Sequence, residues 1–161
     1  MAYRIGLLPG DGIGPEVLKE ARGILDECMR TLGLSFEYDE IPCGGQFFLK
    51  HGSRDWPEDA EARVAASDVL LLGAVGWPKA DGSGPVTMAN GRMAGYSPVI
   101  GNRVRLDLYA NVRPAKSLEG VLPQYKNIDL IILSENTDVL YSGIEHVVAP
   151  GRSSVVQAVR D

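Results

Sequence analysis

The stretch "LLPGDGIGPE", residues 7–16, decides the fold. Its two leucines end an apolar run that begins at Tyr3, and Pro9 with Gly10 closes that run as expected of a buried strand. From Pro15 the apolar positions change to helical spacing, and proline suits the first helical position. Three glycines sit at this strand-to-helix turn. The dinucleotide fingerprint needs G-x-G-x-x-G, whereas Gly10, Gly12 and Gly14 are spaced G-x-G-x-G, so the match to a Rossmann turn fails by one residue. Taken alone, the stretch reads either as a tight turn or as a binding loop.

Working outward, Val17, Leu18, Ala21, Ile24, Leu25, Cys28, Met29 and Leu32 recur at three and four spacings, and Gly33 suits the stop of this helix. "LSFEYDEI", 34–41, alternates apolar and acidic residues as a half-exposed strand does. "WPEDAEARVAAS" is expected to be a second helix, with acids in its first turn where the helix dipole favours them. "DVLLLGAVG", 68–76, reads as an apolar strand ending in glycine. Strand, helix, strand, helix, strand is the order of an α/β protein with a parallel sheet, and such folds gather ligands at the carboxyl ends of their strands.

Residues 77–102 form a long stretch rich in glycine and proline without periodicity; segments of that length are usually functional or disordered. "LDLYANVRP" and "IDLIILSEN" read as two further strands, and the segment from Ile144 onward is strand-like.

Composition narrows the class. The chain has 161 residues, 45% apolar and 23% charged, with a net charge of −5, which fits one globular domain with a core. There is no Lys/Arg cluster of the kind that marks a nucleic acid or anionic membrane partner. No apolar run approaches the ~20 residues of a membrane span, and no signal-peptide pattern opens the chain, so a cytoplasmic location is expected. Cys28 and Cys43 lack zinc or redox spacing and are expected to be idle thiols, and His51 and His146 show no metal spacing.

Two stretches carry candidate chemistry. "NRVRLDLYANVRP" offers Arg103, Arg105 and Arg113, and guanidinium forks grip carboxylates in pairs, although arginines are also common on surfaces. "ENTDVLYSGIEH", 135–146, is either a solvated loop or one wall of a binding site.

Taken in order, "GDGIGPE", "LLLGAVGWP", "LDLYANVRPAK" and "ENTDVLYSGIE" resemble the β-decarboxylating hydroxyacid dehydrogenases, the family of isopropylmalate, isocitrate, homoisocitrate and tartrate dehydrogenases. The resemblance covers essentially the whole chain and implies an α/β, non-Rossmann fold of the isopropylmalate/isocitrate dehydrogenase type. The chain resembles only the N-terminal half of that fold. Residues 1–107 would belong to the first, cofactor-side domain and 108–161 would begin the second, dimerisation-side domain.

The resemblance also implies roles. Tyr141 corresponds to the catalytic tyrosine, a general acid that protonates the carbon losing CO₂. Arg103 and Arg113 correspond to substrate arginines, and Ser97 lies near substrate and nicotinamide. Val99 holds a position that is apolar in isopropylmalate enzymes and asparagine in isocitrate enzymes. Ile13, Gly76, Trp77 and Pro78 fall on the cofactor side. The implied reaction is NAD-dependent oxidative decarboxylation of a 2-hydroxy dicarboxylic acid of the 3-isopropylmalate type, with isocitrate, homoisocitrate or tartrate as alternatives. Mg²⁺ or Mn²⁺ is implied as well, its ligands and the catalytic lysine being expected in the absent C-terminal half, so the chain alone is expected not to turn over. A homodimer or a complementing chain is the implied partner. The alternative reading is a non-catalytic fragment, a split subunit or a degenerate homologue that binds a carboxylate. Two departures stand out: Ser134 replaces a family arginine, and Tyr96 replaces an acid usual in isopropylmalate enzymes.

Overall fold

The structure, a computed structural model, describes residues 2–118, 120–121, 126–137, 145–149 and 152–155, the last two segments by their backbone. Two units emerge, one ending at Asn102 and one beginning at Arg103.

In the first unit, β1 (Tyr3–Leu8) is the central strand of a three-stranded parallel sheet, flanked by β2 (Phe36–Glu40) and β3 (Val69–Leu72). The parallel order follows from the connections: α1 (Gly14–Leu32) links β1 to β2, and α2 (Gly45–His51) with α3 (Ala60–Ala65) links β2 to β3. Alternation along β1 assigns its two faces. Ile5 and Leu7 are buried with Leu18 of α1, and Leu25, Phe36, Tyr38 and Leu71 pack against them. On the opposite face, Gly6 sits against Ser67, just past α3, where a Cβ would come within 2.9 Å of the serine hydroxyl. Leu8, Ile41, Trp56, Ala60 and Val64 complete the buried apolar set around the sheet.

α1 ends at Gly33, which adopts the left-handed conformation (φ 65°) expected of a helix stop. The second expected helix is shorter than its acidic, alanine-rich pattern implied: Pro57 opens a turn, with the Ala60 N–H donating to its carbonyl at 3.2 Å, and the helix proper runs from Ala60 to Ala65. Arg63 of α3 donates to both carboxylate oxygens of Asp39, and to the Glu40 carbonyl at 2.8 Å, fastening α3 to β2. α2 has no counterpart in the sequence reading.

The glycine-rich stretch is ordered by backbone pairing and not by side-chain periodicity. Pro78 bridges Pro85 and Thr87 bridges Met93 in antiparallel fashion. Val86 gives its N–H to the Trp77 carbonyl (2.7 Å) and accepts from Ala94 (2.8 Å); Val86 and Ala94 are both buried. A single π-helical turn, Ser97–Gly101, follows and leads into α4 (Asn102–Arg105).

In the second unit, β4 (Ala110–Lys116) and β5 (Asp129–Glu135) form an antiparallel ribbon, and β6 (Glu145–Ala149) pairs antiparallel with β7 (Arg152–Val155). Residues directly opposite in an antiparallel pair share a face. One face of the β4–β5 ribbon therefore carries Val112 opposite Leu133 and Pro114 opposite Ile131, and the other carries Asn111 opposite Ser134 and Arg113 opposite Ile132. Ile131 and Leu133 are 65% and 69% exposed.

Candidate active site

The turn quoted at the outset is built by backbone contact. The Gly73 N–H donates to the Leu8 carbonyl at 2.8 Å and the Asp11 N–H to the Ala74 carbonyl at 2.7 Å, so the exits of β1 and β3 run against each other. A Cβ on Gly14 would lie 2.1 Å from the Pro9 carbonyl oxygen, which is why a glycine stands at the helix start without completing the dinucleotide spacing. The misspaced glycines thus serve close packing between adjacent strand ends.

Asp11, 1% exposed, is the hub of this edge. Its carboxylate accepts the N–H groups of Gly45 (2.8 Å), Gln46 (2.8 Å) and Gly76 (3.0 Å). One side chain from the β1 exit therefore holds the segments that follow β2 and β3, and all three lie at the carboxyl edge of the parallel sheet, where such folds bind ligands. Ile13 stands on the β1 loop with 67% of its surface exposed. Trp77 is half-buried: its ring reaches to 4.0 Å from the Cβ position of Gly12, and its Cβ would meet a Cβ on Gly45 at 2.7 Å. Gly76 and Pro78 flank it, both exposed. Ile13, Gly76, Trp77 and Pro78 thus lie on two loops that Asp11 and Gly12 bring together.

Asp55, 2% exposed, is a second hub. It holds Gly95 and Ser97 through their N–H groups, so Ser97 enters the π-helical turn from a fixed point, with Val99 half-buried two residues on. Neither aspartate announces itself in sequence. Their partners are peptide groups, which leave no residue pattern.

A groove of about 320 Å³ opens beside the same edge, lined in part by Pro9, Gly10, Pro42, Cys43 and Phe47. Burial pushes the Cys43 thiol up to about 12, so it offers the groove no nucleophile near neutral pH.

In the second unit, the Arg103 guanidinium donates to the Asn136 amide oxygen at 3.3 Å, and that of Arg113 to the Asn111 amide oxygen at 3.2 Å. Asn111 faces Ser134 across the ribbon, and Asn136 lies two residues beyond Ser134. A polar row, Arg113, Asn111 and Ser134, therefore runs along one ribbon face towards the asparagine that holds Arg103. Among the described residues neither guanidinium has a carboxylate partner. Ser134 sits in this row and supplies a hydroxyl without charge. Tyr141 lies outside the described residues. Among the described residues no group of three His, Cys, Asp or Glu side chains is placed to hold a metal ion.

Comparison with known proteins gives this arrangement a family. The family model described as isocitrate/isopropylmalate dehydrogenase matches residues 4–160. The chain belongs to the isocitrate/isopropylmalate dehydrogenase family. It is 34% identical to the 3-isopropylmalate dehydrogenase of Sulfurisphaera tokodaii over 94% of this chain and 40% of that protein. It is 40% identical to the 3-isopropylmalate dehydrogenase of Moorella thermoacetica over 88% of this chain and 40% of that protein. Among solved structures it is similar to isocitrate dehydrogenase from Methylococcus capsulatus, with a TM-score of 0.73 and 28% identity over 98% of this chain and 43% of that one. The chain thus spans about two fifths of the length of the relatives it matches. The fold is of the isopropylmalate/isocitrate dehydrogenase type, as the ordered motifs implied.

Proposed function

We propose that this chain is the substrate-arginine and cofactor-loop part of an NAD-dependent dehydrogenase that oxidatively decarboxylates a 2-hydroxy dicarboxylic acid of the 3-isopropylmalate type. The observation that carries the proposal is the pair of guanidinium groups, Arg103 and Arg113, each held by an asparagine amide and neither neutralised by a carboxylate among the described residues. Two such forks match a substrate with two carboxylates.

In this reading residues 1–107 belong to a cofactor-side domain and 108–161 begin a dimerisation-side domain. Arg103 and Arg113 orient the acid, and Ser97 and Val99 meet its remaining substituent. The apolar Val99 favours an alkyl group over a third carboxylate. Ile13, Gly76, Trp77 and Pro78 fit a cofactor site: an exposed aliphatic side chain, a half-buried indole and open backbone stand at the carboxyl edge of the sheet. A bound nicotinamide supplies the acceptor for the hydride that leaves the carbinol carbon. Tyr141 then gives its proton to the carbon that has lost CO₂. The described residues do not fit a divalent cation, and no step is assigned through one. The working enzyme is cytoplasmic and a homodimer, or joins a complementing chain.

The test is reduction of NAD, followed by absorbance at 340 nm, with 3-isopropylmalate, isocitrate, homoisocitrate and tartrate in turn, with Mg²⁺, on this chain and on the same chain mixed with a polypeptide corresponding to the rest of a family member. Turnover only in the mixture, and fastest with 3-isopropylmalate, is the expected result. A mixture inert with every acid overturns the reading.

A second reading is favoured by Ser134, which lowers the positive charge of the polar row: the chain binds a carboxylate without chemistry. Calorimetric titration in the absence of Mg²⁺ separates the two, since tight metal-independent binding without turnover supports the second.

A further inference from the structure

We propose that Asp55 is a positioning residue that fixes the entry to the Ser97–Gly101 turn, and through it sets which 2-hydroxy acid this site accepts. The inference rests on the functional reading above for its substrate, and on the geometry of the first unit for everything else.

Asp55 Oδ2 accepts both the Gly95 N–H (2.9 Å) and the Ser97 N–H (3.0 Å), from residues 40 and 42 positions away in the chain. Two donors on one oxygen is a charge-assisted arrangement, worth more than neutral hydrogen bonds in a buried setting. The Tyr96 N–H between them turns away to the Met93 carbonyl at 3.0 Å, and Arg92 caps the Tyr96 ring at 4.3 Å, so the approach to Ser97 is held on both sides.

The backbone of Asp55 is itself fixed. Its carbonyl accepts the Gly44 N–H at 2.8 Å, and Gly44 packs so closely on Asp11 that a Cβ there would lie 2.5 Å from that carboxylate. Asp11 in turn holds Gly45, Gln46 and Gly76. Two buried carboxylates, joined through residues 44–46, therefore set the segment carrying Ser97 and Val99 against the same frame as the loop carrying Gly76 and Trp77. A change in the Asp55 side chain releases the first segment and leaves the second in place. Ser97 opens the π-helical turn and the Asn102 N–H closes it on the Ser97 and Val99 carbonyls, so a shift at its entry moves Val99 with it.

The experiment compares Asp55→Asn, Asp55→Ala and the core variant Leu8→Ala with the parent chain, in the same mixture used for turnover. Hydrogen exchange at the Gly95 and Ser97 amides reports the pin, and the ratio of affinities for 3-isopropylmalate, isocitrate and tartrate reports specificity. In D55A, exchange at these two amides rises about tenfold or more while the β1–β3 amides stay protected. Discrimination among the three acids falls severalfold, and D55N, which keeps the shape and one acceptor oxygen, recovers part of it. L8A lowers stability and leaves the ratio unchanged. Unchanged exchange at Gly95 and Ser97 in both Asp55 variants, or a ratio that moves no further than in L8A, overturns the proposal. A parent mixture that binds none of the acids removes the functional reading and the specificity claim with it, and the exchange result then stands as a statement about the fold alone. Should D55A fail to fold, D55N decides by the same two readouts.

Discussion

Arg113 and Ser134 occupy the same face of one ribbon, two residues apart in register, and this makes the balance of charge there adjustable. Arg113→Gln removes a fork from the acid, and calorimetry of the assembled enzyme is expected to record a loss of about tenfold to a hundredfold in affinity, the range for a hydrogen bond to a charged group. Ser134→Arg acts in the opposite direction and is expected to raise affinity for dicarboxylates about tenfold. An unchanged affinity in S134R would mean that the polar row does not touch the substrate. Thiol chemistry offers a simpler check: with Cys43 buried and its thiol pushed up to about 12, an aromatic disulfide reagent at pH 8 should leave it unmodified until denaturant is added. At this scale the sequence yielded the arginines, because a basic side chain flanking a strand motif is visible. Asp11 and Asp55 were hidden because a carboxylate that binds peptide N–H groups looks like any loop aspartate until the chain is folded.

Elements were legible where one period dominated. β1, α1 and β2 follow from apolar spacing and from Gly33, whereas α2 begins at a Gly44–Gly45 pair and is only seven residues long, too short for a helical pattern to stand out. Residues 77–102 escaped for the opposite reason: their order comes from backbone bridges and from peptide N–H groups held by Asp55, which leave no periodic side-chain pattern. The join between β2 and α3 gives a prediction with a definite sign. Arg63 hydrogen-bonds Asp39 and holds its carboxyl below the ordinary range, burial acting against it. A depressed folded value means that the stabilisation is present above the unfolded carboxyl value, about 4, and disappears as the pH falls through the folded one. Urea melts of Arg63→Ala and the parent should differ at pH 6 by about 1 kcal/mol or less, since the pair is part-exposed, and the gap should narrow as the pH falls below the ordinary carboxyl value and through the folded one. A gap that persisted at low pH would assign the difference to the Arg63 bond to the Glu40 carbonyl and to packing of the arginine stem instead.

For the molecule as a whole, the decisive feature is that apolar surface on β4 and β5 is exposed, with nothing over it among the described residues. Val112, Ile131 and Leu133 are more than half exposed on a face whose centre carries no polar group. Surfaces of this kind drive association. Sedimentation of the isolated chain should therefore show concentration-dependent assembly, and Ile131→Thr with Leu133→Thr should shift it towards the monomer without weakening acid binding, because the arginine row lies on the other face. A parent chain monomeric at every concentration would remove this expectation. The family fold was readable from four motifs in order. Which face of the ribbon is exposed was not, because hydrophobicity in sequence does not say what will cover a strand.

On the proposed reading, the ribbon's pleat would tie recognition to assembly. Since neighbouring side chains along a strand emerge on opposite sides, a slip of one position between β4 and β5 would exchange the two surfaces, turning Ile131 and Leu133 towards the acid and sending Ser134 into the contact meant for hydrophobic company. A slipped register would thus, on the proposed reading, disable ligand capture and partner docking together, with every side chain of both strands still present.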